Sequence, residues 1–163
     1  FHNMYKKLAL ITLCCLCFTH CSQASRSIPC QVIGITDGDT LTCLLQNKKS
    51  LRVRLAEIDA PEKNQPFGTK SKQFLAKLVY KKPVQLRILG KDHYQRTLAV
   101  VYNAQHENMN IEMVKSGMAW AYPRYNHDPM YLRTQQAAMK ARLGLWQDTH
   151  PIPPEQWRRQ KRK

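Results

Sequence analysis

Acidic residues are scarce in this chain: 11 Asp and Glu stand against 26 Lys and Arg in 163 residues, a formal charge of +15. So one-sided a balance repels itself on folding and points to a polyanionic partner, nucleic acid first and an anionic surface second. A long apolar run is also missing. Leu8 to Phe18 is the longest, and it is too short to span a bilayer comfortably and has no stop-transfer flank, so no stable membrane span is expected. The basic pair Lys6 and Lys7 before it, and the small residues Ser22 and Ala24 after it, give it instead the form of an export signal over residues 1–24. The domain is therefore expected to be exported, periplasmic or secreted. Lipidation at Cys21 is the alternative, with His20 a poor fit to it.

Cysteine becomes scarce once that leader is set aside, because only Cys30 and Cys43 remain. They flank Asp37-Gly38-Asp39, a strong hairpin-turn signal, and antiparallel folding about that turn would bring them roughly opposite each other. In an oxidising compartment they could form a disulfide worth about 3 kcal/mol; otherwise they are buried thiols. Two cysteines without a paired His/Cys cluster exclude a structural zinc site. Repeats and long linkers are absent as well, which leaves one domain over residues 25–150 and a Pro-rich basic tail over 151–163.

From Pro29 to Tyr102 the pattern is strand-like. Apolar residues alternate with Arg52 and Arg54 in Leu51 to Leu55, so both arginines leave the core face together, and Glu57 breaks the phase just before Asp59. Val84, Leu86 and Ile88 alternate in the same way, and Leu98 to Tyr102 forms a further strand. Three helices are expected. One follows Pro66 and carries Phe67, Ser71, Phe74, Leu75 and Leu78 on one face. A short one is capped by Asn110 and ended by Gly117. A third opens at Asp128-Pro129, buries Leu132, Met139 and Leu143, and stops at Gly144. Five strands and three helices in this order predict an α+β fold, a small barrel with helices packed on it. The prolines of the tail predict an extended surface segment, its basic end either a handle for nucleic acid or a solvated tail.

With acids so few, their placement is informative: Asp37, Asp39, Asp59 and Glu62 all fall at a turn or just past a strand end. Asp39 and Asp59 would form a hard oxygen site suited to Ca²⁺ if their strands are neighbours, although Asp-Gly-Asp by itself is common turn chemistry. Arg54 and Arg96 lie in strand-like context near these acids, and a planar guanidinium can bind two oxygens of a phosphodiester as negative charge develops on them. Glu62 is placed to take a proton from an attacking water. His93 also lies near this region and reads as an exposed loop residue.

Three segments, Ile35 to Leu41, Val53 to Glu62 and Asp92 to Ala99, together resemble the active-site segments of the staphylococcal nuclease (thermonuclease) family, and the likeness continues through Asn110 to Ala119, Ala141 to Trp146 and the tail from Pro151 to Arg158. The resemblance implies an OB-fold five-stranded β-barrel with three packed helices. It implies Ca²⁺ held by Asp39, Asp59 and the main-chain carbonyl of Ala60, with Asp37 as an outer acid. Glu62 would be the general base, and Arg54 and Arg96 the phosphate-binding arginines. Tyr94 would contact a substrate phosphate, with Tyr122 or Tyr125 supplying a second such contact. The implied partners are DNA and RNA, single strands preferred, for a protein acting as a monomer. The rival reading is a non-catalytic OB module that binds single strands and has no use for Glu62. One departure stands out: Gln95 occupies a position where many members have glycine, at a cost of about 1 kcal/mol if the backbone there is left-handed.

Overall fold

The structure, a computed structural model, describes residues 27–122, 124 and 127–162. The expected export signal and Cys21 lie outside the described residues, as does Tyr125. The strands β1 (Ser27–Asp37), β2 (Thr40–Leu44), β3 (Ser50–Leu55), β5 (Pro83–Lys91) and β6 (Thr97–Tyr102) close into a barrel in the order β1-β2-β3-β6-β5. All neighbours are antiparallel except β3 and β6, which run parallel with Arg54 opposite Leu98. A two-stranded ribbon adds β4 (Ile58–Asp59) and β7 (Trp120–Ala121), a pair that the expectation of five strands did not include. The barrel interior is filled by the alternate residues of these strands, among them Val32, Leu41, Val53, Leu55, Leu86 and Val101, all buried. The Cys30–Cys43 disulfide ties β1 to β2 at a Cα separation of 5.6 Å, at the edge of this core.

The β1–β2 turn falls at Gly38 and Asp39. A Cβ on Gly38 would fall within the Ser71 side chain and 2.8 Å from the Ala60 Cβ, so glycine is required by the close approach of α1 (Gly68–Val79), not by its φ. Ser71 is itself held by donating to the Met118 carbonyl at 2.6 Å. That packing fixes the height of the turn beneath β4.

Several local expectations are corrected. The second helix, α2 (Met109–Lys115), is capped by Asn108, whose side chain accepts from the Ile111 N–H. Asn110 lies inside the helix, fully buried, and joins three elements: it accepts from the Val101 N–H and donates to the carbonyls of Ala56 and Ala99. In α3 (Pro129–Lys140) the buried side chains are Tyr131 and Ala138, while Leu132, Met139 and Leu143 remain about half exposed. The helix packs on α2 and β7 rather than over the barrel, and Gln135, on the Tyr131–Ala138 stripe, accepts from the Ala121 N–H. It ends at Lys140, and Gly144 opens a separate 3₁₀ turn, Gly144–Gln147. The tail is not extended throughout. After Pro151–Pro153 it forms a fourth helix, α4 (Pro154–Gln160), because proline at the first helical position gives up an N–H that would have had no partner there.

A site where barrel, ribbon and tail meet

The turn delivers Asp37 and Asp39, β3 delivers Arg54, and the ribbon delivers Asp59. The Asp37 Oδ1 accepts from the Asp39 N–H at 3.0 Å, which sets the turn. Both Asp39 and Asp59 are buried. A single nitrogen of Arg54, Nη2, lies 3.3 Å from Asp39 Oδ2 and 3.3 Å from Asp59 Oδ1, so the two carboxylates converge on one point. Its Nη1 donates to the carbonyls of Leu55 (2.6 Å) and Ile58 (2.8 Å), which holds the guanidinium in the bend between β3 and β4. The Ala60 N–H donates to Asp39 Oδ2 at 2.7 Å, linking the ribbon to the turn.

Arg96 enters along a second chain of contacts. Asp92 accepts its main-chain N–H (3.0 Å) and its Nε (2.8 Å), and its Nη1 donates to the Thr40 hydroxyl at 3.3 Å. That hydroxyl donates to Asp39 Oδ1 at 3.0 Å. Gln95 is left-handed (φ 62°), a strained conformation for a residue with a side chain, while Arg96 is held by Asp92 and Thr40. The exposed Tyr94 ring lies 5.4 Å from the Arg96 guanidinium and 4.0 Å from the ring of His93. Tyr122 is tied to the ribbon through its N–H on the Glu57 carbonyl.

The residue that sequence reasoning missed is Arg158. From α4 its Nη2 reaches Asp59 Oδ2 at 2.9 Å, and its Nη1 reaches Asp59 Oδ1 at 3.2 Å and Glu62 Oε1 at 2.7 Å. This one guanidinium joins Glu62 to the Asp39–Asp59 pair. The helix is positioned by Gln65, which donates to the Ile152 carbonyl at 2.6 Å, and by Arg124, paired with Glu155 at 3.1 Å. No sequence period could have announced it; the only signal was a Trp157–Arg158 pair in a basic tail.

Crowded acids leave their mark on protonation. Burial, then the charge of Asp39, pushes the Asp37 carboxyl up to about 7. Burial also raises Asp59, against the pull of the Arg158 hydrogen bond. Burial opposes the charge on Arg158 as well, but its bonds to Asp59 and Glu62 outweigh that and hold it more firmly protonated than usual. Tyr122 is raised by burial and then by the charge of Asp59, which sets its ring within electrostatic reach of the site. At Asp92 burial is outweighed by the bonds from Arg96, and its carboxyl stays below the usual range.

Among the described residues no three His, Cys, Asp or Glu side chains are gathered closely enough to hold an ion by themselves. The donor set nevertheless suits a hard cation: two buried carboxylates lie close enough together to share one partner, here Arg54 Nη2, and main-chain oxygens and water can complete an oxygen shell around an ion beside it. Cys30 and Cys43 stand apart from this cluster, in the barrel wall.

Comparison with known proteins agrees with this architecture. Residues 52–148 match the family model described as "Staphylococcal nuclease homologue". A Haemophilus influenzae protein named "Uncharacterized endonuclease" is 57% identical over 160 residues, 98% of this chain and 89% of that protein. The "Micrococcal nuclease" of Shigella flexneri is 42% identical over 139 residues, 79% of each chain. "Protein ParB" of Escherichia coli is 42% identical over 149 residues, covering 85% of this chain and 84% of that one.

Proposed function

The chain belongs to the staphylococcal nuclease family, and from that premise we propose that it is a Ca²⁺-dependent nuclease hydrolysing phosphodiester bonds of DNA and RNA, with single strands preferred. The observation that carries this reading is the convergence of Asp39, Asp59 and Arg54 on one point, with Glu62 linked to Asp59 through Arg158. A binding module needs the basic barrel but not this knot of buried acids, which is costly to assemble without a cation or substrate to use it.

Asp39, Asp59 and the Ala60 carbonyl would hold Ca²⁺, and the bound ion would supply a positive charge that polarises the phosphate and helps ionise water. Arg54, paired with Asp39, and Arg96, linked to Asp39 through the Thr40 hydroxyl, would bind the non-bridging oxygens and gain strength as charge builds on them. Arg158 takes one oxygen of Glu62. The other would accept the proton of the attacking water as its oxygen bonds to phosphorus. The bond from phosphorus to the 5′ oxygen would then break, that oxygen leaving as a hydroxyl after taking a proton from solvent water, and Glu62 returning its proton to solvent. Tyr94, 5.4 Å from the Arg96 guanidinium, suits a contact to a substrate phosphate, and Tyr122, within electrostatic reach of Asp59, or Tyr125 would supply a second. The Cys30–Cys43 bridge supports export to an oxidising compartment.

The deciding test is degradation of single-stranded DNA by the purified protein in Ca²⁺ and then in chelator, alongside Glu62→Gln. The nuclease reading expects cutting in Ca²⁺ alone, and a loss of about 10²–10⁴-fold in kcat for Glu62→Gln with oligonucleotide binding retained. Equal cutting in chelator would remove the metal from the mechanism, and full activity of Glu62→Gln would remove the base.

A further inference from the structure

We propose that α4 carries a nucleotide-binding subsite that takes a nucleotide one step beyond the two that flank the scissile phosphate, its ligand class being one unit of a single-stranded polynucleotide. The proposal rests on the nuclease reading for its register, and on the tail itself for its chemistry.

A groove of about 290 Å³ opens between α4 and the segment after β4. Glu62 forms part of its wall, so the groove adjoins the site already described. Apart from Asn64, the rest of the lining is basic and aromatic: Lys63, Trp157, Arg158, Lys161 and Arg162. Arg158 is engaged with Asp59 and Glu62. Among the described residues, Lys63, Lys161 and Arg162 enter no ion pair. Three exposed cations without counter-charge around one aromatic ring form the combination that single-stranded nucleic acid exploits: a backbone phosphate answers the charge, and a base stacks without regard to sequence. The Lys161 ammonium already lies 5.0 Å from the Trp157 ring centroid, so phosphate and base contacts would fall in one place. The volume, near the roughly 300 Å³ lower bound of ordinary ligand pockets, suits one nucleotide and not a duplex.

The tail is also fixed well enough to bind. Gln65 anchors Ile152, and Glu155 joins Arg124 to Arg159. A solvated tail would lose ordering entropy on capturing a strand; a docked helix has already lost it. Glu62 is common to groove and site, so the groove lies where one side of a strand cut beside Glu62 could be taken up.

The experiment uses the full chain with Lys161→Glu/Arg162→Glu, with Trp157→Leu, and with a control reversal of equal charge, Lys48→Glu/Lys49→Glu, on the exposed turn at the far end of the β2–β3 hairpin. Two quantities are read: the ratio of kcat/KM on a longer single-stranded oligonucleotide to that on a dinucleotide, and the salt dependence of oligonucleotide binding by fluorescence anisotropy in chelator. The subsite predicts that the first two variants lose most of the length advantage, about tenfold. The charge reversal should also lower the slope of log affinity against log salt by about one to two. The control should retain both. Loss shared equally by long and short substrates, or by the control, overturns the subsite, as does unchanged behaviour of all variants. If the parent cuts nothing in Ca²⁺, the nuclease reading fails, and the binding arm alone then decides the subsite.

Discussion

Replacing Arg158 by alanine isolates the contact that joins the tail to the acids. The Asp59 side chain is 4% exposed and meets both forks of Arg158, whose own side chain is 34% exposed. Breaking a fully buried pair costs about 3–5 kcal/mol and an exposed one under about 1 kcal/mol. A half-sheltered guanidinium facing a buried carboxylate falls between, near 2 kcal/mol. For a domain of this size that is a fall in Tm of roughly 6–10 °C, measured by circular dichroism in chelator. Calcium should reverse most of it. An ion bound to Asp59 must take an oxygen that Arg158 now holds, so Arg158→Ala removes a competitor as well as a support. Ligand bound to the folded state alone stabilises by mass action, and the tighter the binding the larger the gain. Titration calorimetry should therefore give a Ca²⁺ affinity several-fold higher in the variant, up to about tenfold if the lost pair contributes 1.4 kcal/mol to the competition. The Tm gap should close to a few degrees in saturating Ca²⁺. A gap that widens with Ca²⁺, or a weaker affinity, would refute the competition and make Arg158 a support of the metal site.

Three further outcomes follow from the geometry. The folded protein keeps a proton on Asp37 up to about pH 7, whereas the unfolded chain releases it near the ordinary carboxyl value, so between those limits the folded state binds more protons and stability falls as pH rises. Asp37→Asn in chelator should remove that decline, matching the parent near pH 4 and melting higher at pH 8; parallel melting curves across the range would count against it. Gln95→Gly should relieve the left-handed strain and raise stability by up to about 1 kcal/mol in urea denaturation, with Arg96 still held by Asp92. Gly38→Ala should cost about 1–3 kcal/mol because its methyl group meets Ser71, and adding Ser71→Gly should restore part of both stability and cleavage; no rescue would mean the turn is not limited by that contact.

Much of this fold was legible because its cues are local. The Asp37–Asp39 turn follows from residues that tolerate turn geometry, and the phase of Arg52 and Arg54 follows from strand alternation. The acids at strand ends marked the site before any pairing was known. Local cues failed where two readings shared a period: Leu132 and Met139 lie seven residues apart as Tyr131 and Ala138 do, and only the position of α2 and β7 chose between the stripes. Asn110 looked like a cap because Asn caps helices, but its amide was needed inside, between α2 and the barrel.

By itself the chain's sequence determined the strands, the turn, the basic surplus and the inventory of reactive groups, all set by neighbours within a few residues. The tertiary structure decided which of those groups meet. Parallel closure of β3 on β6 brings Arg96 to Thr40 and thereby to Asp39, and the docking of α4 brings Arg158 to Asp59 across 99 positions. Such meetings depend on long-range closure and packing, whose free energy no local period encodes.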